Sequence, residues 1–129
     1  MATEILCNDG GAPARILPFL ASATIIAGDV LEVHTDGKVR PITSAVYKAA
    51  GVALTGAATG DMVNVVSGSG IVVRVIQNTN LSTGAFLMAD TGNVGEVIAY
   101  AYSASAHKEM LGVTLEDVAA GALVKCLWF

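Results

Sequence analysis

Charge is scarce in this chain. Asp, Glu, Lys and Arg make up 14% of its 129 residues, against about 25% in an ordinary soluble domain. The seven Lys and Arg residues are scattered singly from Arg15 to Lys125, so no basic patch forms. With a net charge of −4 and a pI near 4.9, bulk electrostatics exclude a nucleic-acid binder. Aromatics reach only 5%. Two cysteines, Cys7 and Cys126, make neither a disulfide framework nor a metal-ligand spacing. Both are read as small half-buried hydrophobes, and a single bridge between them stays open. Long hydrophobic runs are also missing. The longest uncharged stretch, 75–89, holds Gln77, Asn78, Thr79 and Asn80, whereas a spanning helix needs about 18 or more apolar residues. No membrane partner is expected. The short apolar segment 16–23 ends like a cleavage site, but Glu4 and Asp9 precede it and Pro18 interrupts it, unlike a signal peptide.

What remains is small and apolar. Hydrophobic residues supply 53% of the chain, with 21 Ala, 16 Val and 14 Gly, enough for one domain with a real core. A mean hydropathy of +0.63 is high for a lone monomer. It predicts apolar surface covered by other copies, in a homo-oligomer such as a trimer.

The chain divides in two. Residues 1–22 carry Asn8-Asp9-Gly10-Gly11, Pro13 and Pro18 and keep no sustained period, so they are expected to form an extended N-terminal arm. Residues 23–129 are expected to form a single β domain. Short β-branched runs alternate there with turn residues: 29–34 and 39–42 flank Thr35-Asp36-Gly37-Lys38, a hairpin signal. Segments 62–66 and 71–76 flank Ser67-Gly68-Ser69-Gly70, read as a second hairpin, with Ile71, Val73 and Val75 on one face. Residues 86–88, 94–102 and 122–129 read as further strands. Helical periodicity is weak; 44–50 and 103–110 each have room for a turn or two. The fold class is mainly β, a small β-barrel or β-sandwich.

An internal repeat organises this pattern. Gly51-Val52-Ala53-Leu54, followed by Gly60-Asp61-Met62-Val63, aligns without a gap on Gly112-Val113-Thr114-Leu115, followed by Gly121-Ala122-Leu123-Val124. Each copy follows an earlier glycine-led strand, Gly28-Asp29-Val30-Leu31 in one and Gly84-Ala85-Phe86-Leu87 in the other. Two related β units are expected, about 24–66 and 81–127.

Chemistry is hard to find. No nucleophile elbow of the G-x-S-x-G type occurs. The glycines of 67–70 precede a β-branched strand instead of the helix that a phosphate loop requires. His34 with Asp36, and His107 with Glu109, are read as solvated loop-edge pairs, since a zinc site needs three or four ligands. Asp29, Glu32, Asp61, Glu116 and Asp117 are placed beside turns or on strand edges, where charge opposes aggregation. Asn80-Leu81-Ser82 matches a glycosylation acceptor, which matters only in a secreted chain. No enzyme, catalytic residue, cofactor or metal site is expected.

The string Ala27-Gly28-Asp29-Val30-Leu31-Glu32-Val33, then Gly51-Val52-Ala53-Leu54 and Ala58-Thr59-Gly60-Asp61-Met62-Val63-Asn64-Val65, resembles the capsid cement (decoration) proteins of tailed bacteriophages. Leu81-Ser82-Thr83-Gly84-Ala85-Phe86-Leu87 and Leu111-Gly112-Val113-Thr114-Leu115 extend the resemblance over about 24–129. The proline-bearing start and the long 94–110 stretch depart from it. The resemblance implies a virion protein on the outer surface of a phage head, made in the host cytoplasm. It implies a trimer that clamps the major capsid protein. Within the arm, Ile5, Leu6, Ile16, Leu17, Phe19 and Leu20 are the expected partner contacts. The alternative is a non-catalytic β-barrel or β-sandwich module binding a carbohydrate or peptide, as an adhesin does.

Overall fold

The computed structural model describes residues 5, 15–43, 49–68, 70–90, 92–99 and 110–128. Among these residues ten strands follow one another: β1 (Arg15–Leu20), β2 (Val30–Val33), β3 (Val39–Pro41), β4 (Ala49–Ala53), β5 (Met62–Ser67), β6 (Val72–Val75), β7 (Phe86–Ala89), β8 (Val97–Ala99), β9 (Gly112–Thr114) and β10 (Val124–Trp128). No helix occurs among the described residues. The strands form two antiparallel five-stranded sheets, ordered β1-β5-β4-β2-β3 and β6-β10-β9-β7-β8. One order becomes the other when five is added to every strand number. The fold is a small β-sandwich. One parallel bridge joins the edges of each sheet, Ala21 to Val39 and Gln77 to Val97, but no continuous ladder closes either into a barrel.

Register extends the equivalence to single residues. Leu31 stands opposite Gly51 and Leu87 opposite Gly112. Ile25 bridges Ala57 as Leu81 bridges Val118. The amides of Gly28 and Gly84 donate to the carbonyls of Ala53 and Thr114, both at 2.9 Å. Gly60 and Gly121 share a φ of 89° in matching turns. Gly51 and Gly112 are the tightest positions. A Cβ on either would fall 2.5 Å or less from a backbone oxygen of the next strand, Val66 in one repeat and Leu127 in the other. Gly51 stands in the middle of β4, and Gly112 opens β9.

The halves differ in what covers them. Buried residues of the first sheet lie on both faces: Leu31, Val39, Ala53, Val63 and Val65 in one cluster, Val30, Ile42, Val52 and Val66 in another. The second cluster is continuous with the inward face of the second sheet, from Val73, Val75 and Leu87 to Val97, Val124, Cys126 and Trp128. The opposite face of the second sheet, with Phe86, Val113 and Leu127, is half-buried or exposed.

Two expectations about connections change. Residues 67–70 do not form a hairpin: β5 pairs with β1 and β4, and β6 with β10, so this glycine-rich turn links the two repeats. Its composition marks a reversal of the chain without specifying the hydrogen-bonding partner. The hairpin between β2 and β3 forms, but only Gly37 has positive φ, at 81°. Its amide donates to the His34 carbonyl, and the Asp36 carboxylate accepts from the Lys38 amide. That is the three-residue pattern of a type I turn followed by a glycine, not a two-residue type I′ turn.

Of the expected arm, residues 15–20 pair along their whole length with β5 of the same chain, and Ile5 is buried in the core. The Ile5 carbonyl accepts from the Arg74 amide on β6 at 2.8 Å. The expected helical turns at 44–50 and 103–110 fall mostly outside the described residues, as do Leu6, Cys7, His107 and Glu109.

Candidate interaction surface

Of the five carboxylates read as turn or strand-edge charges, Asp29 and Glu32 serve the interior, while Asp61 and Asp117 are exposed. Asp29 and Glu32 flank the start and middle of β2, a strand with neighbours on both sides, and both are buried. Asp29 Oδ2 accepts from the Ile26 amide at 2.9 Å. Burial outweighs that bond, and the nearby Glu96 charge adds to it, so the carboxyl is pushed up to about 6. Glu32 Oε1 accepts from Arg40 Nε at 2.7 Å and from Thr43 Oγ1 at 2.9 Å. Arg40 is its cross-strand neighbour in β3, so the register itself makes the pair. The sequence pattern hid this because alternation fails where a sheet is buried on both faces.

The other polar residues fasten turns. Asp117 accepts from the Thr83 amide at 2.6 Å and the Thr83 hydroxyl at 2.9 Å, and these bonds hold its carboxyl below the usual range. Glu116 accepts from the Lys125 amide at 3.1 Å. Gln77, fully buried, donates through Nε2 to the carbonyls of Ala119 and Ala122 and accepts from the Thr79 amide. Thr114 Oγ1 donates to the Ser82 carbonyl and accepts from the Ala85 amide. Asn80 of the acceptor triplet takes a bond from the Ala120 amide. His34 and Asp36 approach to 3.6 Å on a hairpin tip. Among the described residues no three His, Cys, Asp or Glu side chains gather where they would hold a metal ion.

Several large apolar side chains are exposed. Ile16, Leu17 and Leu20 of the expected partner contacts lie on edge strand β1 and are each more than two-fifths exposed. Phe19 turns inward against the first cluster. Met62 stands opposite Leu20 in the register and is 55% exposed. Phe86, on the outer face of β7, is 49% exposed. Met62 and Phe86 are not among the partner contacts expected from the sequence. The signal was present: repeat-equivalent positions are apolar in both halves, whereas a solvated antiparallel face alternates with polar residues.

Fold and surface together define an all-β, duplicated sandwich with exposed apolar side chains on β1, β5 and β7. No protein-family model matches the chain, and no curated protein matches it in sequence. Among solved structures it is similar to the crystal structure of the head fiber gp8.5 N base in bacteriophage phi29. The TM-score is 0.66 at 17% sequence identity, over 91% of this chain and 95% of that one. At that identity the likeness shows the fold.

Proposed function

We propose that this chain is a structural protein of a phage head, a decoration or cement protein that binds the outer capsid surface and stabilises the shell of major capsid protein. The observation that carries this reading is the structural likeness, along nearly the full length of both chains, to a head fiber base. The resemblance of 24–129 to cement proteins supports it from the sequence side. The functional unit in this reading is a homotrimer on the virion, and it involves no catalytic step, cofactor or metal. The exposed Ile16 and Leu17 on β1 are the contacts offered to the capsid. Multivalent attachment lets weak individual contacts add through effective concentration.

The test is co-sedimentation of the purified chain with undecorated heads, followed by heating of decorated and bare particles. Saturable binding in fixed ratio to the major capsid protein, with a higher rupture temperature, is expected. Failure to bind, together with retention on a glycan array, would transfer the chain to the adhesin class.

A further inference from the structure

The two repeats share one design but differ in cover. In the first repeat the second repeat supplies that cover. Ile76 and Leu123 lie 3.1 Å from where a Cβ on Gly28 would stand. The Gly95 turn completes it: its carbonyl accepts from the Val30 amide at 2.9 Å and its amide donates to the Ile42 carbonyl at 3.0 Å. Beneath these contacts Val30, Val52 and Val66 are fully buried.

The corresponding face of the second repeat is built from Gly84, Phe86, Val113 and Leu127. A Cβ on Gly84 would meet nothing within 4 Å, and Phe86 is half-exposed. Val113 and Leu127 are only half-buried. The face keeps the apolar character of its buried counterpart. The covering elements also have counterparts. Leu20 and Met62 face each other on β1 and β5 at the positions that Ile76 and Leu123 take beside β6 and β10. Gly37, with φ 81°, matches Gly95, with φ 79°. All three counterparts are exposed, and a Cβ on Gly37 would meet nothing within 4 Å. Among the described residues, then, the first repeat carries the counterpart of the covering surface in exposed form, and the second carries the counterpart of the covered face half-exposed.

We propose that a second copy of this chain seats Leu20, Met62 and the Gly37 turn of its first repeat on Gly84, Phe86, Val113 and Leu127 of the second repeat. The contact between copies repeats the contact between repeats. It is head-to-tail, so it generates a ring where the rotation closes. In a trimer six repeats would follow one another, each covering the last. This names the interface of the homo-oligomer proposed above and needs nothing of the capsid part of that reading.

The experiment is sedimentation velocity on the full chain and on Phe86→Glu and Met62→Glu, both at exposed positions, with circular dichroism to confirm the fold. Each substitution is expected to weaken association at least about thirtyfold, the loss typical of an interfacial anchor. Phe86→Ser, without added charge, must shift it in the same direction. Mixing Phe86→Glu with Met62→Glu leaves one sound face on each chain, so the mixture should form dimers and nothing larger. An oligomeric wild type that both substitutions leave intact overturns this interface and spares the homo-oligomer. A mixture that stays monomeric overturns the head-to-tail pairing. A monomeric wild type overturns both, while head binding, assayed separately, judges the capsid reading.

Discussion

Replacing Gly51 by Ala adds one methyl group at the centre of the first sheet. That Cβ would fall well inside 3.0 Å of the Val66 carbonyl oxygen and 2.8 Å from Val65 Cγ1. Ordinary contact begins near 3.4 Å, so β5 must move away from β4. Strand β5 has no slack: Val63, Val65 and Val66 are buried in clusters on its two faces. Overpacking of this kind costs about 1–3 kcal/mol. The lower backbone entropy of Ala in the unfolded chain returns only about 0.4–1 kcal/mol. A net loss of about 1–2 kcal/mol is expected, which lowers the melting temperature by roughly 3–10 °C in a domain of this size. Gly112→Ala places its methyl group 2.5 Å from the Leu127 oxygen. It should behave alike, with a smaller loss because the second sheet has one open face. Urea unfolding of both variants measures this, with Gly92→Ala as the control, since its Cβ would meet only Asp90 Oδ1 at an ordinary 3.4 Å. If Gly51→Ala unfolded within 0.5 kcal/mol of wild type, the close-approach reasoning would be wrong, and with it the reason both repeats hold glycine here.

Asp29 titrates near 6 in the folded chain against 3.8 ordinarily, so the folded state holds a proton that the unfolded state has lost between those values. Stability should therefore be fullest below about pH 4 and decline as pH rises to 6. Asp29→Asn should flatten that decline and gain about 1–2 kcal/mol at pH 7, allowing for partial solvent screening. Melting curves from pH 4 to 8 decide it, and a variant with the wild-type slope would refute it. Gln77→Ala leaves the Ala119 and Ala122 carbonyls without their buried donor and opens a cavity, so a loss of about 3 kcal/mol is expected. Chemical denaturation showing a loss below 1 kcal/mol would mean that water replaces the side chain.

The repeat was legible because glycine is forced at Gly51 and Gly112 by a neighbouring strand, and at Gly60 and Gly121 by positive φ. These demands act on single residues and survive in the sequence. Strand pairing is non-local, so the β2–β3 hairpin was readable while the partners of β5 and β6 were not. The burial of Glu32 was invisible for a related reason: Arg40 becomes its partner only after the strands align. On the surface, the apolar pattern was read as a hydropathy excess. Its division into a covering patch and an open face required the internal symmetry to be seen in three dimensions.

Pro18 stands on β1 where Arg74 stands on β6, since one faces Asn64 and the other Lys125 in matching registers. At Arg74 the backbone N–H donates to the Ile5 carbonyl, so the edge of the second sheet receives residue 5 of its own chain. At position 18 proline has no N–H to give. A neighbour's residue 5 cannot dock on β1 as it docks on β6. The duplicated fold thus tells its two edges apart: only the second can take a carbonyl at this register position.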